Sequence, residues 1–120
     1  MTSKFVLASE RVTVADDSGH VVWEGKPLGV DALEVQALPD TDSAIVLLDY
    51  MQMGSGPVGN LVRISSDGSI LWVADLPNLA PSECYVSFEI SDHVLANTWN
   101  GFRVEIDRET GKILKSLFTK

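Results

Sequence analysis

The sequence predicts an all-β protein of antiparallel four-stranded meander repeats, arranged as a partial propeller-like stack, with a β-sandwich or barrel as the alternative. Three observations carry this reading. Short runs of Val, Ile, Leu and aromatic residues alternate with turn clusters of Asp, Gly, Ser, Asn and Pro at roughly 8–12-residue intervals. Several runs are apolar at every second position, the period of a half-buried strand. A strand–turn–strand pattern with glycine in the turn occurs three times along the chain.

Taken in order, the N-terminus supplies three strands, at Lys4–Ala8, Arg11–Ala15 and Val21–Glu24, a partial unit. The middle supplies four, at Leu33–Leu38, Ala44–Tyr50, Leu61–Ser65 and Ile70–Ala74. Val30 to Leu38 is long enough for two helical turns, but Leu33, Val35 and Ala37 alternate as in a strand. Ala44 to Leu48 is apolar throughout, which suits a strand covered on both faces. The last unit runs Tyr85–Ile90, Val94–Trp99, Phe102–Ile106 and Ile113–Leu117. Within Tyr85–Ile90, and again at Phe102, Val104 and Ile106, apolar residues recur at every second position. Asn100-Gly101 predicts a two-residue type I′ hairpin turn, which needs positive φ at both residues. One all-β domain over 1–120, with units at 4–24, 33–74 and 85–117, accounts for the chain.

The third and fourth strands of each unit repeat most clearly. Val12-Thr13-Val14 leads through Gly19 to Trp23, and Val62-Arg63-Ile64 leads through Gly68 to Trp72. Val104-Glu105-Ile106 leads through Asp107, Thr110 and Gly111 to Lys115, at the place of a third tryptophan. The glycines stand 49 and 43 residues apart. In each turn glycine supplies a positive φ and Asp bonds its own backbone. With Asp107, Thr110, Gly111 and Lys112, and the pairs Gly19/Trp23 and Gly68/Trp72, the chain resembles β-propeller blades of the PQQ-like type. That resemblance implies blade architecture and carries no cofactor. A complete propeller has about 4–8 blades, so fewer than three imply an open stack or pairing with a second copy.

Composition narrows the function. Seventeen acids against nine bases leave a net charge of −8, and Arg63, Arg103, Arg108, Lys112 and Lys115 stand singly. Nucleic acid and anionic membrane surfaces are therefore disfavoured partners, and a basic protein is favoured. No apolar run is long enough for a signal-peptide core or a membrane helix, which predicts a cytoplasmic protein. Cys84 is the single cysteine, so there is no intrachain disulfide or thiol metal pair.

Catalytic chemistry finds little support. His20 and His93 both fall in turns, and Ser18, His20 and Asp92 would form a triad only with a fixed geometry that turn tips lack. Glu83 beside Cys84 raises the thiol pKa and blunts it as a nucleophile. Asp40-Thr41-Asp42 and Asp16-Asp17 fall short of a calcium shell of about 6–8 oxygens. Gly54 to Asn60 lacks the ending of a phosphate loop. No enzyme, metal or cofactor is expected.

Topology yields the candidate surfaces. In an up-and-down meander one end gathers Asp16, Asp17, Asp40, Asp42, Asp67, Asp92 and Asp107, and the other gathers Met51, Met53 and Trp99 with the long loops. Turn chemistry alone favours Asp at the first end, and folding back over the core is the plain alternative for the methionine loop. Two functions follow. The first is a non-catalytic protein-binding domain, an acidic inhibitor of the immunity-protein type that neutralises a basic protein such as a nuclease toxin. The second is a self-assembling partial propeller, a homodimer through sheet edges, with a small ligand in its central cavity.

Overall fold

The computed structural model describes residues 3–119. Among the described residues eleven strands form three separate antiparallel meanders. The first blade is β1 (Lys4–Ala8), β2 (Arg11–Ala15) and β3 (Val21–Gly25). The second is β4 (Ala32–Ala37), β5 (Ser43–Leu48), β6 (Leu61–Ser65) and β7 (Ile70–Val73). The third is β8 (Tyr85–Ile90), β9 (Val94–Thr98), β10 (Phe102–Ile106) and β11 (Ile113–Phe118). Strand order within each blade follows the chain, and no barrel closes.

The second blade is sandwiched between the other two, and β5 shows why. All six of its residues are buried. Ala44, Val46 and Leu48 join Val12, Val14, Val62 and Ile64 in the core against the first blade. Ile45 and Leu47 join Leu61, Trp72, Tyr85, Phe88, Val94 and Val104 in the core against the third. Successive side chains point to opposite faces, so an unbroken apolar run serves two cores at once.

The outer faces of the first and third blades are built differently. Thr13, between buried Val12 and Val14, pairs across the strands with Glu24 and donates its hydroxyl to that carboxylate at 3.1 Å. On the third blade Arg103 alternates with buried Val104 and pairs with Asn97 and Leu117. Its guanidinium bonds Asn97 Oδ1 at 3.2 Å and forms an ion pair with Glu89, while Asn97 Nδ2 donates to Ser87 Oγ at 3.0 Å. Both outer faces mix these polar bonds with exposed apolar side chains, Val6 opposite Thr13 and Leu117 opposite Arg103.

Two tryptophans lock the blades together. Trp23 of β3 lies over Gly68 in the second blade's β6–β7 turn, where a β-carbon would come within 2.1 Å of the indole. Trp72 of β7 lies over Gly111 in the third blade's β10–β11 turn, where the same atom would come within 2.8 Å. Trp72 Nε1 also donates to the Arg108 carbonyl at 2.8 Å. Both glycines have φ near +80°, at 84° and 77°, so conformation and space both select glycine. Trp23 is half-buried and Trp72 buried.

A buried asparagine adds a second tie. Asn60, before β6, donates to the carbonyls of Leu48 and Tyr85 at 3.0 and 2.8 Å and accepts the Tyr85 N–H at 2.7 Å. It thereby satisfies backbone groups of the second and third blades that no strand reaches.

The structure corrects two expectations. The Asn100-Gly101 turn is not type I′. Only Gly101 has positive φ, at 93°, and its N–H donates to Thr98 O at 3.1 Å. The turn is a three-residue connection with glycine last, because the strand ends at Thr98 and leaves Trp99 in the loop. The closed-barrel alternative also falls, since each meander ends in free edges.

Candidate functional site

The β2–β3, β4–β5, β6–β7, β8–β9 and β10–β11 turns lie at one end of the blades, and the remaining connections lie at the other. At the first end, Asp16, Asp42 and Asp67 line a 230 Å³ hollow with Ser3, Val22 and Ser66. Asp42 accepts the Ser3 N–H at 2.8 Å, which holds its carboxyl below the usual range. Hydrogen bonds from Ser65 and Ser69 hold Asp67 down to about 2. Asp16 Oδ1 accepts the N–H groups of Ser18 and His20, both at 2.9 Å. Asp107 Oδ1 accepts that of Glu109 at 2.9 Å. Each of these carboxylates thus shapes a turn as well as charging the surface.

Arg108 Nη2 donates to Pro39 O at 2.8 Å, which binds the third blade's turn to the loop carrying Asp40 and Asp42. Arg63 donates to Arg108 O at 2.9 Å and stands 3.6 Å from Glu109. Asp17, Asp40 and Asp92 are exposed in their turns. Ser18 and His20 belong to the first blade and Asp92 to the third, with the second blade between them, so the imagined triad is not assembled. His20 Nδ1 instead stands 3.7 Å from Asp16.

The opposite end holds a cleft of about 390 Å³ between the β5–β6 loop and the segment before β8. Met51 and Trp99 both line it, at 76% and 59% exposure. A short 3₁₀ turn at Tyr50–Gln52 presents Met51, and Asp49 caps that turn by accepting the Met51 N–H at 2.9 Å. Gly54 and Gly56 then carry the loop through positive φ. Met53 is half-buried and packs against the first core. The methionine loop is therefore divided: Met53 folds back over the core, and Met51 does not.

Glu83 forms the cleft's far wall and was not singled out by sequence as a binding residue. It is 1% exposed. Its Oε1 accepts the N–H groups of Cys84 and Asn100 at 3.2 and 3.3 Å, and its Oε2 accepts the Asn78 amide. Trp99 N donates to Cys84 O at 2.9 Å, so the tryptophan's backbone is anchored beside that carboxylate. Cys84 is buried, and burial followed by the Glu83 charge pushes its thiol up. Burial also pushes the Tyr85 phenol well above its usual range, and its hydroxyl donates to Asp75 O.

The loop end is not free of charge. Asp31 there bonds the Lys26 ammonium and the Gln52 amide, both at 2.7 Å, and Lys26, Glu10 and Gln52 in that order hold its carboxyl far below the usual range. No group of three or more His, Cys, Asp or Glu among the described residues is placed to hold a metal ion. No helix among them is long and apolar enough to cross a membrane.

Comparison with known proteins places the fold. The computationally designed Ika8 protein superposes with a TM-score of 0.63 at 13% identity, covering 98% of this chain and 33% of that one. BamB from Moraxella catarrhalis gives 0.57 at 17% identity, covering 97% and 35%. A protein of unknown function from Bacteroides caccae gives 0.51 at 15% identity, covering 98% and 42%. The chain therefore spans about a third to two-fifths of the length of these structures, which share its fold at low identity. Its all-β sheets loosely resemble those of blade-like proteins such as BamB. No curated protein matches the sequence. Residues 31–118, which include every strand of the second and third blades, match the family model described as Domain of unknown function (DUF7957), and the chain belongs to that family.

Proposed function

We propose that the chain is a non-catalytic protein-binding domain whose partner is a basic protein, an acidic inhibitor of the immunity-protein type. The observation that carries this reading is the exposure of Trp99 and Met51 on one cleft that no Lys or Arg lines. A large exposed indole beside a flexible thioether is the composition of an interface anchor. The net charge of −8 would steer a cationic surface toward the molecule, with Asp16, Asp42 and Asp67 adding an acidic patch at the end opposite this cleft. Anchors would set the lifetime of the complex and charge its rate of formation.

Affinity capture with parent chain and with a fourfold Asp→Asn variant at positions 16, 42, 67 and 107 tests this. A basic protein retained by the parent, and retained less by the variant at low salt, supports the reading. Retention of no basic protein, or equal retention by both, contradicts it.

A second reading, self-assembly as PQQ-like blades around a ligand, has one observation in its favour. Gly19 occupies the turn position at which Gly68 and Gly111 receive indoles, yet nothing lies within 4 Å of the β-carbon site there. Against it, Lys115 stands where a third docking tryptophan would be, and the third blade's outer face carries the Arg103–Glu89 ion pair.

A further inference from the structure

Glu83 presents a charge that the fold does not balance. Its two oxygens meet only N–H donors, from Cys84, Asn100 and Asn78, the arrangement a carboxylate takes. None of the ion pairs among the described residues includes it. A carboxylate removed from water without a cation is costly and is seldom retained unless paired. The side chain is 1% exposed, yet it borders an open cleft instead of a closed core.

The cleft's other walls suit the missing cation. Trp99 and Tyr50 both line it, and an aromatic face attracts an ammonium or guanidinium. Val58 and Met51 supply apolar surface for an aliphatic stem. We propose that this cleft receives the side chain of one Lys or Arg from the partner, seated against Trp99 with Glu83 as its buried counter-charge. The proposal rests on the protein-binding reading above and names the chemistry that the cleft recognises.

The test needs no partner protein. Blocked single residues serve as probes: the N-acetyl N′-methylamides of lysine, arginine and norleucine, the last a similar stem without charge. NMR follows the indole N–H resonances of Trp23, Trp72 and Trp99 in the full chain during titration at millimolar probe. Saturable movement of the Trp99 resonance by the lysine or arginine probe, about tenfold tighter than by norleucine, is expected. Glu83→Gln keeps an acceptor oxygen for the Cys84 and Asn100 N–H groups, removes the charge, and gives up the bond from the Asn78 amide, which its Nε2 would face. It should bring the cationic probes down to the norleucine level and leave norleucine unchanged. Trp99→Phe should keep the preference and Trp99→Leu should lose it. Were Glu83 only a loop staple, Glu83→Gln would weaken all three probes alike, and that result overturns the proposal. So does equal binding of norleucine, or no saturable movement of Trp99 with either cation. If the cationic probes fail while capture of a basic protein succeeds, the inference falls and the binding reading stands. The reverse pattern removes the basic-protein reading and keeps a cation site.

Discussion

The indole of Trp72, on the last strand of the second blade, covers Gly111, in the last turn of the third, and donates to the carbonyl of Arg108 three residues earlier. Trp23 and Gly68 repeat the covering one blade earlier. The repeat legible in the sequence is thus a joint between units: each unit's tryptophan closes over the next unit's glycine. Blades of four- to six-residue strands have small individual cores, so such joints matter more than any single hairpin.

Replacing Trp72 with Ala should cost about 3–5 kcal/mol, since it leaves a cavity between sheets and removes one of the two hydrogen bonds to the Arg108 carbonyl. Trp23→Ala should cost less, because that ring is half-buried. Gly111→Ala should destabilise by a comparable route from the other side, through an unfavourable φ and a collision with the indole. Urea midpoints of the three variants check the order.

How much of this was legible follows from which contacts are local. Period-two runs such as Val94, Ala96 and Thr98 disclosed their strands because burial and pleat are read along one strand. Ala44 to Leu48 disclosed a doubly covered strand because every position was apolar. Asp16, Asp67 and Asp107 disclosed their turns because they bond residues two ahead. Asn60 and Glu83 gave no sign of burial. Their partners lie across blades or in the next loop, and a lone Asn or Glu has no periodicity to betray it. The acidic turns looked like the sole charged end because Glu10 and Asp31 meet only when the long connections fold together.

Cys84 should be inert in the folded chain. Burial and the Glu83 charge both disfavour its thiolate. A thiol reagent at neutral pH should label it at the rate of unfolding, and at once in denaturant. Rapid labelling of native protein would contradict the described packing.

Acid should weaken the β6–β7 turn through Asp67. Its folded-state pKa, about 2, lies below the unfolded value of about 4, so the folded state favours the carboxylate. The stabilising contribution is present above the unfolded pKa and is lost as pH falls through the folded one. Between about pH 4 and 2 the parent should lose stability faster than Asp67→Asn, whose side chain does not titrate. Urea midpoints across that range, parent against variant, show whether the two curves converge.

The fourfold Asp→Asn variant at positions 16, 42, 67 and 107 should still fold. Asparagine keeps an acceptor oxygen for each turn N–H, and Asp42 and Asp67 are exposed while Asp16 and Asp107 are half-buried, so the fold should survive at a modest cost. Circular dichroism should therefore resemble the parent, with a lower melting temperature at neutral pH because the Asp42 and Asp67 charges no longer contribute, while association with a basic partner slows.

The central claim is that Trp99 anchors a charge-steered protein interface, and Trp99→Ala tests it most directly. Binding kinetics of parent and variant to the captured basic protein, at low and high salt, separate the two contributions. The account predicts an association rate that falls with salt in both chains, and a dissociation rate raised at least about tenfold in the variant at unchanged melting temperature. Equal dissociation rates for parent and variant, or association indifferent to salt, would contradict it.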